Sequence, residues 1–373
     1  MNLSLHRRVG AIALTGAVAL SLAACGSDNP TSTTPADEVT GPAAASELSG
    51  DIEGAGASSQ ESAMGAWRAG FQSANPDVNV TYDPVGSGGG RTQFLEGGVA
   101  FAGTDAALDE EQLAQAADRC AGGEVIEIPL YISPIAVIYN LPGVDELNLS
   151  PEVMAGIFDR QITTWSAPEI AADNPDATLP DLPITPVNRS DESGTTENFT
   201  EYLAATAGEA WPYEASGDWP VAGGQSAQGT SGVVQTVNGG EGTIGYADAS
   251  QAGTLGTANI MVGEAWVGYS PEAAAAVVDA SPRAEGRGEH DIVVELDRTT
   301  TAEGAYPLVL VSYSLACAGY EDETEGQLVQ AFLGYVASEE GQEAAAGAAG
   351  SAPISDTLRA DAEAAIEAIT AGA

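Results

Sequence analysis

The chain has 373 residues, enough for two domains with cores of their own. With 44% hydrophobic and 17% charged residues its composition is globular, which excludes a disordered chain. The formal net charge is −43, from 54 Asp and Glu against 11 cations that are all Arg, and this excludes non-specific nucleic-acid binding and a polybasic membrane contact.

Residues 1–24 open with His6, Arg7 and Arg8, continue as an apolar run from Val9, and end in small residues. That is the pattern of a secretory signal peptide, too short and wrongly flanked for a stable span. Leu22-Ala23-Ala24-Cys25 resembles the lipobox of bacterial lipoproteins, which implies that Cys25 is lipidated and becomes the new N-terminus. Residues 25–47 are rich in Ser, Thr, Pro, Gly and Ala and read as a flexible tether. No second apolar span of about twenty residues follows, so the lipid is expected to be the sole anchor. The location expected is extracytoplasmic, on the outer face of the cytoplasmic membrane.

The folded part is expected from Leu48. Residues 48–90 read as strand, Gly-rich turn, helix, strand and a second Gly-rich turn. The helix carries Met64, Trp67 and Phe71 at helical spacing, a core-facing stripe. A second helix is predicted from about Gly90, then a short strand and turn at "FAGTDAAL" and a helix at "DEEQLAQAADRC". This alternation with tight glycine turns predicts an α/β fold with a parallel sheet. The apolar run "EVIEIPLYISPIAVIYNL" is broken by Pro129 and Pro134 and is predicted as two strands at a domain crossover. Residues 150–175 read helix, turn with Trp165, helix. "ITPVNRSDESGTTENFTEYLAATAG" reads strand, loop, helix, and "SGVVQTVNGGEGTIGYADAS" helix, turn, strand. A second crossover-like run, "YPLVLVSYSLAC", ends at Cys317, and the remainder is helical at "EGQLVQAFLGYVAS" and "LRADAEAAIEAI". The chain would leave a first domain, build a second and return. Domain I is accordingly set at 48–132 with 308–373, and domain II at 133–307. Cys120 and Cys317 form a disulfide or remain two buried thiols; an extracytoplasmic location favours the former.

The chemistry is expected at the strand-to-helix turns "GAGASSQ", "VGSGGGR" and "RSDESGTT". Unpaired N–H groups and the helix dipole favour an anion there, hydroxyls add donors, and glycine permits close approach. Each turn alone would be an ordinary N-cap. Three of them, with Asp105 in "GTDAAL" and one arginine, Arg189, four residues ahead of Ser193-Gly194-Thr195, are what points to anion binding. No nucleophile elbow, P-loop or HExxH motif accompanies them.

The stretches "GAGAS", "GSGGG", "GTDAAL", "SPIAVIYNLPGV", "ITTWSAPEI", "RSDESGTT" and "GTIGYAD" together resemble the phosphate-binding lipoproteins of bacterial high-affinity phosphate ABC transporters, the PstS family, from about residue 48 to the end. The resemblance implies a two-domain periplasmic-binding-protein-like fold of type II, each domain a mixed sheet flanked by helices, the two joined by two crossover strands. It implies phosphate contacts from Ser58, Ser59, Ser87, Asp105, Arg189, Ser193, Gly194 and Thr195, with Asp191 supporting Arg189. Ser59 stands where the family often has an aromatic residue, and Gly88 where it often has a second Ser. The partners implied are inorganic phosphate and a membrane-embedded phosphate permease, for a monomer without catalytic residues, cofactor or metal. A carboxylate at Asp105 would accept the proton of phosphate and repel sulfate, an unmatched contact that can cost ~10⁴–10⁵ in affinity. The alternatives are a protein for another oxyanion (sulfate, molybdate or a phosphonate) and a phosphate-ester hydrolase.

Overall fold

The computed structural model describes residues 48–120 and 123–371. The expected signal peptide 1–24, the lipidated Cys25 and the tether 25–47 lie outside the described residues.

In chain order the first elements are β1 (Gly50–Gly56), α1 (Glu61–Ala74), β2 (Val78–Asp83), α2 (Ser87–Leu95), β3 (Phe101–Thr104), α3 (Glu110–Arg119) and β4 (Val125–Asn140). Next come β5 (Asn148–Leu149), α4 (Pro151–Phe158), α5 (Pro168–Asp173), β6 (Thr185–Arg189), α6 (Gly194–Thr206), β7 (Gln225–Ala227), α7 (Gly229–Gly239) and β8 (Thr243–Asp248). There follow β9 (Gly256–Thr257), β10 (Asn259–Val262), β11 (Ala265–Val267), α8 (Pro271–Ala280), β12 (Val309–Cys317) and β13 (Gly319–Tyr320). The chain closes with α9 (Glu323–Ala337), α10 (Glu339–Ala349), α11 (Asp356–Glu367) and β14 (Thr370–Ala371).

One sheet runs in the order β2-β1-β3-β12-β4-β8-β6-β7, with β9 also on β4. It is mixed rather than parallel. β1 pairs parallel with β2 and β3, and β6 with β7 and β8, but β12 is antiparallel to β3 and β4, and β4 to β8. The returning strand β12 supplies two of these antiparallel pairs, and β4 makes the third with β8. Helices flank the sheet: α1 buries Ala63, Met64, Trp67 and Phe71, the stripe that its spacing predicts.

The run around Pro129 and Pro134 is one strand, not two. β4 pairs with β12 through Pro134 and with β8 from Ile135 onward, so it belongs to both halves of the sheet. Each proline falls where the missing N–H does least harm. Pro129 sits at the register shift opposite Ser312 and Tyr313, and Pro134 at the change of partner. Helix α2 begins at Ser87, three residues before the expected start. Glycines are poor helix formers, but packing against β1 and β3 overrides propensity. Helices α8 and α10 and the small sheet β11-β10-β5 are not expected from the sequence pattern.

A main core runs through the sheet and its helices, and a smaller one gathers Ala136, Ile138, Val187, Val233, Val237, Ala247 and Ala252 beneath α7. Among the described residues no helix is long and apolar enough to cross a membrane.

Cys120, the C-cap of α3, is joined in a disulfide to Cys317 at the end of β12, across 197 residues of chain. A closure of that length strongly restricts the unfolded chain. Replacing both cysteines by alanine is expected to lower the unfolding free energy by about 2–5 kcal/mol. The measurement is the urea midpoint against the unaltered protein; an unchanged midpoint would show that the bridge adds no stability.

Candidate functional site

Every residue in the expected ligand set sits where a strand ends and a helix begins. Ser58 and Ser59 follow β1, ahead of α1. Ser87 is the first residue of α2, Asp105 follows β3, Arg189 ends β6, and Ser193 is the N-cap of α6, with Gly194 and Thr195 in its first turn. β1 and β3 run parallel in the first half of the sheet, and β6 lies in the second half. All eight are buried. The helix N-termini therefore bring unpaired N–H groups and the positive ends of helix dipoles to one place.

Asp105 is the point of convergence. Its Oδ1 accepts from Ser59 Oγ at 2.7 Å and its Oδ2 from Thr195 Oγ1 at 3.0 Å. Its backbone N–H donates to Ser87 Oγ at 3.1 Å, and its carbonyl accepts from Asn198 Nδ2 at 2.7 Å. One residue, through its carboxylate and its backbone, thus joins the loops after β1, β2 and β3 to helix α6. The approach is close enough to require a glycine at 194: a Cβ there would lie 2.6 Å from Asp105 Cβ and 2.7 Å from Ser87 Oγ. Burial pushes the Asp105 carboxyl above its ordinary pKa, while donors from Ser59, Ser312 and Thr195 and the charge of Arg189 pull it back. The Ser312 hydroxyl, on β12 beside this carboxylate, is itself buried without a well-formed hydrogen bond.

Arg189 is 4% exposed and is held by Asp191 in a two-point ion pair. Its Nε donates to Asp191 Oδ1 at 2.9 Å, and its Nη2 meets Oδ2. Asp191 Oδ1 also accepts from Gly229 N at 3.1 Å, so the pair is fixed to the start of α7. One edge of the guanidinium is thereby fixed, and its Nη1 makes no hydrogen bond among the described residues. Tyr246 receives the Arg189 N–H at 3.4 Å and stacks on Phe199 at 4.3 Å between ring centroids, a rigid support beneath the loop.

Besides Ser59, Ser87 and Thr195, which bond Asp105, two more expected contacts are engaged within the protein. Ser193 Oγ accepts from Thr196 N at 3.2 Å as the α6 cap, and Ser58 Oγ lies 3.0 Å from Thr230 Oγ1. Thr230 was not singled out from the sequence. Its N–H also donates to Ser58 Oγ at 3.1 Å, from the first turn of α7. "GTSG" at 229–232 carries the same Gly/Ser/Thr signal as the three turns that were recognised. Each of these hydroxyls keeps a hydrogen or a lone pair for a ligand.

The arrangement is a set of short neutral donors, one fixed cation and one acceptor-only carboxylate, all withdrawn from water. That combination suits a small oxyanion that still carries a proton. Among the described residues no group of His, Cys, Asp and Glu is placed to hold a metal ion. A cavity of about 480 Å³ beside Asp105 is lined by Glu197, Glu201 and Glu295 and by Arg298, whose guanidinium is paired with Glu201.

The family model described as "PBP superfamily domain" matches residues 40–340. Phosphate-binding protein PstS3 of Mycobacterium bovis (strain BCG / Pasteur 1173P2) is 35% identical over 344 residues, covering 89% of this chain and 90% of its own. Phosphate-binding protein PstS2 of the same strain is 33% identical over 372 residues, covering 98% and 99%. Among solved structures, a high affinity periplasmic phosphate-binding protein, PfluDING, bound with phosphate, superposes with a TM-score of 0.68 at 22% identity, over 84% of this chain and 93% of that one. The phosphate-binding protein of Stenotrophomonas maltophilia gives 0.66 at 20% identity, over 85% and 94%. At these identities the solved structures establish the fold, an α/β periplasmic-binding-protein-like architecture with a mixed sheet flanked by helices.

Proposed function

Because the chain belongs to the PstS family of phosphate-binding proteins, within the superfamily of periplasmic binding proteins, we propose that it captures inorganic phosphate outside the cytoplasm and delivers it to a phosphate ABC permease. Two domains, 48–132 with 308–373 and 133–307, close on the ligand about the strands they share. The role is transport and not catalysis. A lipid on Cys25 would hold the protein at the membrane as a monomer.

The observation that carries this reading is the placement of Asp105. Its carboxylate is buried among hydroxyl donors from both halves of the sheet, in the same site as the paired guanidinium of Arg189. Phosphate near neutral pH retains at least one proton, and an ionised carboxylate can accept it. Sulfate offers only bare oxygens, so one buried acceptor would face another. Arg189 supplies the full positive charge, while the hydroxyls of Ser58, Ser87 and Ser193 and the backbone N–H groups of Ser59, Gly194 and Thr195 supply donors to the remaining oxygens, the Ser59 and Thr195 hydroxyls being spent on Asp105. A fully deprotonated oxyanion such as sulfate or molybdate would need a site without that acceptor, and ester hydrolysis would need a base paired to one of the serines.

The net charge of −43 does not oppose this reading. Exposed charges are screened beyond about 8–10 Å in physiological salt. Capture is decided by aligned donors at contact distance. Native mass spectrometry of protein purified without added phosphate tests the assignment. One phosphate retained per chain is expected; retention of sulfate or molybdate in its place would overturn it.

A further inference from the structure

Arg91 is an arginine to which the anion site gives no task, and its surroundings supply one. Its side chain, on α2, is 5% exposed, and its Nη2 lies 2.6 Å from Glu192 Oε1. Its Nη1 donates to Thr104 Oγ1 at 3.2 Å and to the carbonyl of Ala106 at 3.4 Å, with Glu197 Oε2 at 3.9 Å. One guanidinium therefore grips the residues on either side of Asp105. The same group reaches Glu192, which stands between Asp191 and Ser193 in the opposite loop. Gly88 makes this geometry possible. A Cβ there would collide with the Glu192 side chain, and the Gly88 N–H approaches the Glu192 carbonyl at 3.4 Å.

Two more arginines brace the same loop from other sides. Arg287 Nη2 donates to the carbonyl of Leu108 at 2.9 Å. Arg298 bonds Asn198 Oδ1, whose amide holds the carbonyl of Asp105. Arg91 differs from these in spanning two ligand loops, and its partner Glu192 is half exposed at 46%.

We propose that Arg91 and Glu192 form a latch across the closed cleft, in which Arg91 is a positioning residue that holds Asp105 toward the ligand's proton and the ion pair slows ligand release. The proposal rests on the phosphate reading above. Separating the start of α2 from the Arg189 loop would strip a nearly buried guanidinium of its shortest charged partner. That cost falls on opening, and hence on the off-rate. Encounter occurs before the pair forms, so the on-rate is spared.

The test is stopped-flow release of phosphate from the unaltered protein, Glu192→Gln, Arg91→Gln and the double variant, together with the phosphate-to-sulfate affinity ratio of each. Glu192→Gln is expected to speed release about three- to tenfold with the on-rate unchanged. The double variant is expected to release no faster than Arg91→Gln, the mark of coupled residues. The selectivity ratio falls in Arg91→Gln and is kept in Glu192→Gln, because Arg91 is the partner that touches the Asp105 loop. Glu192 is exposed enough for its variant to fold, so the off-rate result stands even if Arg91→Gln does not fold. Phosphate binding by the unaltered protein with an unchanged off-rate in Glu192→Gln would overturn the latch alone. Failure of the unaltered protein to bind phosphate would overturn the phosphate reading and the latch with it.

Discussion

Asp105→Asn is expected to narrow the preference for phosphate over sulfate by roughly a thousandfold or more. The substitution is nearly isosteric, so Gly194 and Ser87 can stay in place. Its chemistry is inverted at one atom: an acceptor-only carboxylate becomes an amide with one acceptor and one donor group. In the native site each carboxylate oxygen already accepts one hydroxyl, from Ser59 and from Thr195. Each keeps a lone pair, and the phosphate proton would take one of them. Against sulfate the carboxylate can only repel, whereas the amide can donate. Sulfate affinity should therefore rise more than phosphate affinity falls. Competition calorimetry measures both constants, and an unchanged ratio would remove Asp105 from the account of selectivity.

Arg189→Met is expected to weaken phosphate binding by roughly 10²–10⁴, the equivalent of losing a buried hydrogen-bonded charge worth about 2–5 kcal/mol. The loss has two parts. The guanidinium no longer meets the anion, and Asp191, with its side chain 14% exposed, is left unpaired beside it. Adding Asp191→Asn separates the parts. The double variant should regain much of the stability, measured by urea unfolding, without regaining the affinity of the unaltered protein. Near-native phosphate affinity in Arg189→Met would mean that the guanidinium does not contact the ligand.

The turns that gather around Asp105 are legible in the sequence for a physical reason. A strand-to-helix turn that binds an anion needs small and hydroxyl residues within a short stretch, so Ser58, Ser87 and Ser193 declare themselves locally. The same signal at Gly229-Thr230 was passed over because nothing nearby in the sequence shows that Thr230 meets Ser58, 172 residues away. Arg91 closes the stretch "VGSGGGR", and nothing local in the sequence marks it out. Its significance depends on Glu192, a partner 101 positions distant. Helix α10 went unseen because "EEGQEAAAGAA" buries mainly small residues, Ala345 and Ala349 among them, and leaves little apolar contrast. The prolines in β4 suggested a break because proline disfavours paired strands. They are tolerated where the ladder shifts register or changes partner, a feature of pairing between distant segments.

The central claim is that loops from both halves of the sheet surround a protonated tetrahedral anion and that a carboxylate accepts its proton. Titrating phosphate into stripped protein, with and without a large excess of sulfate, tests it most directly. The account predicts one phosphate bound per chain with an affinity that the sulfate leaves unchanged. Equal competition by sulfate, or no phosphate uptake at all, would contradict it.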